Sequence, residues 1–253
     1  MSTTGDVRRP WSVGVVVPAR NEQRRIKRCL ESVLAAMDAS GAQQAWIVVV
    51  ADRCTDRTVP IARRVLRNRG LIIECAAGSP GTARRHGADA VLRQACQVPH
   101  SSLWFANTDA DSYVPCDWIS RQLQMATEGA TAVAGIVNVD SFEGHGPEGA
   151  RMFSRHYLIN ADGTHPHVHG ANIGVRADVY LDIGGWSDTA VGEDHCLWQR
   201  VQRRGWPVLA TSASVVTTSG RLRGRARGGF ADTLRARLRA RLSPPLSAEA
   251  STS

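Results

Sequence analysis

The sequence predicts an α/β fold, with a mostly parallel central sheet flanked by helices and a smaller, less regular region after it. Three observations lead there. Short apolar runs alternate with amphipathic stretches through the first half of the chain. Those runs are apolar at nearly every position, as strands covered on both faces are. Clusters of polar and acidic residues follow the runs, where open parallel sheets bind their ligands.

The elements justify themselves in order. Val13 to Val17 is a continuous apolar run that Pro18 stops. Ile26, Leu30, Val33, Leu34 and Met37 recur at helical spacing, with Arg24, Arg25, Lys27, Arg28 and Glu31 between them. Trp46 to Ala51 is the second run, before a helix carrying Ile61, Val65 and Leu66 that Gly70 is expected to close. Leu71 to Cys75 reads as a third strand, roughly Gly81 to Ala95 as a third helix and Leu103 to Ala106 as a fourth strand. A helix from about Pro115 to Glu128 leads to a strand at Ala130 to Val137. Asp140 to His169 is a polar stretch with glycine and histidine, and no element is assigned to it. A short strand at Asn172 to Val175 and helices near Ala177 to Ile183 and Asp194 to Arg204 complete residues 11–221. Beyond them, 222–242 holds a basic amphipathic helix with Phe230, Leu234, Leu238 and Leu242 in one stripe, and 243–253 reads as a disordered tail. No internal repeat is present.

With 253 residues, 43% hydrophobic and 21% charged, the composition is that of a soluble globular protein. The formal charge is +8 and the pI about 9.8. Arg221, Arg223, Arg225, Arg227, Arg235, Arg237, Arg239 and Arg241, opposed by Asp232, carry nearly the whole excess. The main domain is therefore close to neutral, which argues against nucleic acid as a partner. Arginine in place of lysine, with abundant alanine, points to a GC-rich bacterial genome. Six cysteines show no CxxC pair, and Cys29 and Cys75 sit inside apolar patterns, so a reducing cytoplasm is expected. The opening MSTTGDVRRPW lacks the apolar core of a signal peptide. No apolar run approaches the ~20 residues of a membrane-spanning helix. The expectation is a cytoplasmic protein, or one peripheral on the inner face of the membrane.

Strand one ends in Pro18-Ala19-Arg20-Asn21-Glu22, strand two leads to Asp52 and Asp56, and strand four to Asp109-Ala110-Asp111. Neither a GxGxxG fingerprint nor a Walker loop occurs, which removes the commonest α/β nucleotide binders. A cleft lined by carboxylates would repel a bare diphosphate; a divalent metal reverses that sign. Mg²⁺ and Mn²⁺ take one or two carboxylates together with phosphate oxygens and water. Asp109 and Asp111 suit such an anchor. They equally suit an Asx-turn, or a cap for the helix after Pro115.

The ordered set VGVVVPARNE, VVVADRCTDRT, GTARRHGADA and TDADS resembles the nucleotide-sugar half of family 2 glycosyltransferases with the GT-A fold. HGANIGVRADVYLDIGGW is similar to the family's acceptor-side segment, and Gly192-Glu193-Asp194 to its ED motif. The resemblance covers about Val13 to Arg221. It implies a nucleotide-sugar half at 11–112 and an acceptor half at 113–221. It implies that Pro18, Ala19 and Glu22 line the base and ribose pocket and that Asp52 hydrogen-bonds the base. Arg84 falls in the diphosphate segment, where Arg85 stands in place of the usual asparagine. Asp109 would face the ribose or the metal, Asp111 would bind Mn²⁺ or Mg²⁺, and Asp194 would be the catalytic base. Glu193, His169 and Asn172 would belong to the acceptor side, and Arg221 would neutralise the leaving diphosphate.

Each residue also has a structural reading. Asp52, Asp56, Glu193 and Asp194 suit turns and helix caps; Glu22 suits a helix N-terminus; Arg84 suits a solvated face. Asn172 could shape a turn, and Arg221 could simply begin the basic tail. His165, His167 and His169 alternate along the chain, and neighbours on one strand face stand about 7 Å apart, which does not close a zinc site. His195 beside Asp194 reads as a helix residue.

The QxxRW motif of processive relatives is missing. The resemblance thus implies a non-processive, metal-dependent, inverting transferase using a nucleoside-diphosphate sugar and a hydroxyl acceptor. A retaining GT-A enzyme making a small glycosylated solute would be expected to use a downstream histidine, and none follows His195. A metal-dependent nucleotidyltransferase would carry a Gly-rich arginine loop after strand one, which this chain lacks. The 222–242 helix either docks on the core or meets anionic headgroups at a membrane surface.

Overall fold

The computed structural model describes residues 11–143, 149–189 and 191–221. The amphipathic helix and tail expected at 222–253 lie outside the described residues. The first half runs β1 (Ser12–Ala19), α1 (Ile26–Asp38), β2 (Ala45–Asp52), α2 (Thr58–Leu66), β3 (Leu71–Cys75), α3 (Pro80–Gln94) and β4 (Leu103–Asn107). The second half runs α4 (Trp118–Thr127), β5 (Ala132–Val139), α5 (Gly149–His156), β6 (Ile173–Arg176), α6 (Ala177–Asp182), α7 (Glu193–Arg203) and β7 (Val208–Thr218). The seven strands form one sheet in the order β3-β2-β1-β4-β6-β5-β7. β1 pairs in parallel with β2 and β4, and β2 with β3. β6 runs against both of its neighbours, and β5 and β7 are parallel. A mostly parallel α/β sheet is what the fully apolar runs predicted.

Alternation along β1 explains the layers. Val13, Val15 and Val17 join a core with Ile26, Leu30 and Val33 of α1, Ala62 and Leu66 of α2, and Trp118 and Leu123 of α4. Val16 belongs to the opposite core, with Ala83, Ala88 and Val91 of α3, Tyr180 of α6, and Leu197 and Val201 of α7. Helices therefore cover both faces, and each buried leucine, isoleucine or valine contributes roughly 1.5–3 kcal/mol. The approach of α3 to β1 is closer than side chains normally allow. A Cβ at Gly14 would collide with Val91, and one at Gly87 with Val16. Two glycines across the contact let the backbones meet.

Two elements were not expected. α5 lies within the polar stretch, where Arg151, Ser154, Arg155 and His156 hide the apolar positions. β7 is the longest strand at 11 residues, yet its Ala-Thr-Ser-Ala-Ser centre breaks the apolar pattern. The register shift between Gly135 and Ile136 of β5 falls opposite that centre. Gly70 does not close α2. The chain turns at Arg67, with φ 52°; Gly70 instead makes room for Ile47, whose methyl would lie 2.6 Å from a Cβ there.

Candidate active site

β1, β2 and β4 all end on one rim of the sheet, and parallel register brings their following loops together. The loop after β1 supplies Glu22, buried at 5% exposure. The loop after β4 supplies Asp109 and Asp111. Between them sits Arg221, whose guanidinium spans 2.6 Å to Glu22 Oε1 and 2.7 Å to Asp111 Oδ2. β7 brings Arg221 there. Tyr113 and Thr217 exchange backbone hydrogen bonds at 2.8 and 3.0 Å. The Ser112 hydroxyl donates to Thr218 Oγ1 at 2.9 Å, and Gly220 N–H to Asp140 Oδ1 at 3.0 Å. The strand that the sequence concealed thus positions an arginine that the sequence had picked out.

Asp111 is unusual electrostatically. Burial pushes its carboxyl up to about 7, Arg221 opposes that, and the charges of Asp109 and Glu22 add to it. A buried carboxylate among carboxylates resists ionising unless a cation is near.

A second arginine joins this rim to the second half of the chain. Arg84, 2% exposed on α3, donates to Asp109 Oδ1 at 2.6 Å and to Glu193 Oε1 at the start of α7. Gly170 packs flat on it; a side chain there would overlap the guanidinium. Asp194, the residue after Glu193, accepts from Gly170 N–H at 2.9 Å and from His195 N–H at 2.7 Å. One buried guanidinium therefore holds the acid-rich loop and the ED segment together, and Asp194 stays half-buried beside it.

Other expected residues are placed differently. Arg84 has both terminal nitrogens on carboxylates, so it braces the rim. Arg85 turns to the Trp186 carbonyl, with Nε at 2.9 Å. Glu193 is 8% exposed and is held by Arg84. Asn172 is fully buried. Its oxygen accepts from Trp118 Nε1 at 2.9 Å and Ser214 Oγ at 3.1 Å. Its amide donates to Ile136 O at 2.8 Å and Ser214 O at 3.0 Å. All four positions are taken, leaving none for an acceptor; Asn172 ties the strands at the bulge.

The three histidines stack instead of converging, with ring centroids 5.7 Å (His165–His167) and 5.9 Å (His167–His169) apart. Tyr157 of the loop after α5 lies on His167 at 4.0 Å. Its hydroxyl accepts from Val137 N–H at 2.9 Å and meets His169 Nε2 at 2.9 Å, and burial pushes its pKa up. Tyr157 was missed because Phe142, Phe153 and Tyr157 stand among polar residues and mark no element by their pattern. Among the described residues, no group of three or more His, Cys, Asp or Glu is arranged to hold a metal by itself.

At the donor end, Asp52 Oδ1 accepts from Gly78 N–H at 3.1 Å, and Pro18 and Ala19 form the last residues of β1 beside it. Asp56 makes an Asx-turn just ahead of α2, accepting from Thr58 N–H at 2.9 Å. The turn reading holds for Asp56, while the N-cap of α2 is Arg57. Asp52 stays at the rim.

Fold and rim together define an α/β protein with its polar and acidic groups gathered at the carboxyl ends of parallel strands. The family profile described as "Glycosyltransferase like family 2" matches residues 10–241. The chain belongs to that family and has the GT-A fold. Among solved structures it is similar to the mannosyltransferase PcManGT from Pyrobaculum calidifontis, in complex with GDP-Man and Mn²⁺. The TM-score is 0.59 at 20% identity, over 84% of this chain and 58% of that one. S. aureus TarS 1-349 in complex with UDP-GlcNAc gives a TM-score of 0.61 at 14% identity, over 87% of this chain and 61% of that one. This chain thus spans under two thirds of either relative, and the likeness is one of fold. No curated protein sequence matches it. No helix among the described residues is long and apolar enough to cross a membrane.

Proposed function

We propose that this chain is a glycosyltransferase, moving a sugar from a nucleoside-diphosphate sugar to a hydroxyl acceptor, one residue at a time and with inversion, in a divalent-metal-dependent reaction. The network Asp109–Arg84–Glu193 carries the reading. It sets an acid pair suited to a metal–diphosphate and a half-buried carboxylate, Asp194, on one rim.

The donor set fits Mn²⁺ or Mg²⁺. It consists of hard carboxylate oxygens, too few to enclose the ion, as such ions prefer when phosphate and water complete the shell. The Asp111 carboxyl, raised first by burial and further by the charges of Asp109 and Glu22, would ionise more readily beside a bound cation. Asp111 and Asp109 would hold the ion, which when bound supplies Lewis-acid neutralisation of the leaving group.

Asp194 accepts the proton of the acceptor hydroxyl as that oxygen attacks the anomeric carbon from the face opposite the diphosphate. The Gly170 and His195 amides aim its carboxylate, and Arg84 fixes the helix that carries it. General-base help of this kind is worth about 10²–10⁴-fold. Arg221, released from Asp111, pairs its planar fork with the departing diphosphate. His169, held by Tyr157, faces the acceptor side.

A thermal-shift panel of UDP-, GDP- and dTDP-sugars with and without Mn²⁺ tests the scheme. At least one is expected to stabilise the protein with Mn²⁺ present. Asp111→Asn should remove that shift, while Asp194→Asn keeps it and lowers transfer or donor hydrolysis by about 10²–10⁴-fold. Stabilisation by none of these sugars, or full turnover in Asp194→Asn, sinks the proposal.

A further inference from the structure

Two residues without glycine's freedom, Asn21 and Arg53, take left-handed backbone at φ 53° and 49°. Such backbone persists where its surroundings over-determine it, and here they do. Asn21 Oδ1 accepts from Thr55 N–H at 2.8 Å, Asn21 N–H donates to Cys54 Sγ at 3.4 Å, and the Cys54 thiol donates to Ala19 O at 3.4 Å. Glu22 N–H donates to Thr58 Oγ1 at 2.7 Å and Gln23 N–H to Asp56 Oδ2 at 3.1 Å. The loops after β1 and β2 are thereby joined into one wall.

Asp52 lies in that wall, 6% exposed. Arg20 Nη1 stands 3.9 Å from its Oδ2 and Arg53 Nε 4.0 Å from its Oδ1. Both separations exceed a hydrogen bond, and neither guanidinium makes a hydrogen bond elsewhere among the described residues. Their side chains are 44% and 53% exposed, so their N–H groups are available. Gly78, at φ 82°, takes the left-handed turn that lets its N–H reach Asp52 Oδ1, and it lies in ordinary contact with the Arg53 guanidinium. The wall therefore offers a row of donor, acceptor, donor.

We infer that Arg20, Asp52 and Arg53 select a uracil or thymine base in the donor, an inference that rests on the nucleotide-sugar reading above. The imide edge of those bases presents O2, N3–H and O4, which is acceptor, donor, acceptor. Guanine presents O6, N1–H and an amino group, so one arginine would meet a donor. Cytosine at N3 and adenine at N1 turn a lone pair toward Asp52. A site built for hydrogen bonds rejects ligands that leave its groups unpaired.

The test is calorimetric titration of the full chain, in Mn²⁺, with UDP, dTDP, GDP, CDP and ADP. UDP or dTDP, or both, should bind about tenfold or more tighter than the other three. The tighter of the two names the nucleoside, since they differ in the 2′-hydroxyl and the ring methyl. Arg20→Met and Arg53→Met should each weaken UDP about 5- to 10-fold and narrow its lead over GDP. Both side chains are solvated, so unchanged circular dichroism is expected in the variants. GDP binding as tightly as UDP, or variants that leave the UDP-to-GDP ratio untouched, overturns the inference and leaves the donor reading standing. Binding by none of the five overturns both.

Discussion

Asp111 keeps its proton in a pH range where a solvated aspartate has lost it, because burial outweighs the help of Arg221. Its folded pKa, about 7, lies above the 3.8 of a free aspartate, so the stability tied to its proton is present at low pH. It is lost as pH rises through about 7. In metal-free protein, the midpoint of thermal unfolding should therefore fall between pH 4 and 7 by more than in Asp111→Asn; equal falls would count against it. A metal at this carboxylate competes with that proton. Mn²⁺ affinity, measured by titration, should weaken about tenfold per pH unit below about 7 and level off above it. Much at this scale was legible, because Asp109 and Asp111 follow an apolar run and the strand ends there. The pairing of Arg84 with Glu193 was not legible, for the opposite reason. Their partnership spans 109 positions in the chain, and no local pattern marks it. Asn172 is similar: its partners Ile136 and Ser214 lie on strands separated from it by 36 and 42 positions.

α3 shows how an element can be legible while its packing is not. Its apolar positions, its Ser79 cap and Pro80 at the first turn mark a helix, but nothing in that pattern says how near β1 it lies. Gly14 and Gly87 set the distance. Gly87→Ala sharpens the point, since two effects oppose. Replacing glycine inside a helix gains about 1 kcal/mol of propensity. The new methyl, however, overlaps Val16, a branched residue on a buried strand with nowhere to turn, and overpacking costs about 1–3 kcal/mol. The packing term wins, and urea titration should show a net loss of about 0.5–2 kcal/mol. A stabilised variant would mean that α3 and β1 can separate freely. β7 teaches the complementary lesson. Its β-branched ends read as strand, but a Ser- and Ala-rich centre opposite a bulge destroys the alternation. Strands that pair around irregularities are identified by their partners, and partners are a property of the sheet.

At the scale of the molecule, the Arg84 guanidinium is one of several that link the first and second halves of the chain, beside Arg221 on Glu22 and Asp111 and Arg85 on Trp186 O. Arg84 sits on α3 in the first half and joins Asp109, at the end of that half, to Glu193, which opens α7 in the second. A buried charge with two partners is a weak source of net stability but a strong constraint, because removing one member strands the others. Arg84→Met should cost about 3–5 kcal/mol in urea unfolding, as Glu193 is left buried without its cation. Adding Glu193→Gln to that variant removes the stranded charge, so the double variant should regain part of the loss. The coupling so measured should be about 0.5–3 kcal/mol. Arg84→Lys is the functional counterpart. A single ammonium cannot fork to two carboxylates, so the fold should survive while α7, and Asp194 with it, loses its alignment to the acid pair. Misplacement of a reacting group by about 1 Å costs on the order of 10²-fold in rate. The lysine variant should therefore bind nucleotide with Mn²⁺ nearly as the parent does, yet transfer sugar about a hundredfold more slowly. Equal loss of binding and rate would instead make Arg84 a ligand for the donor, and additive energies in the double variant would dissolve the link between the halves.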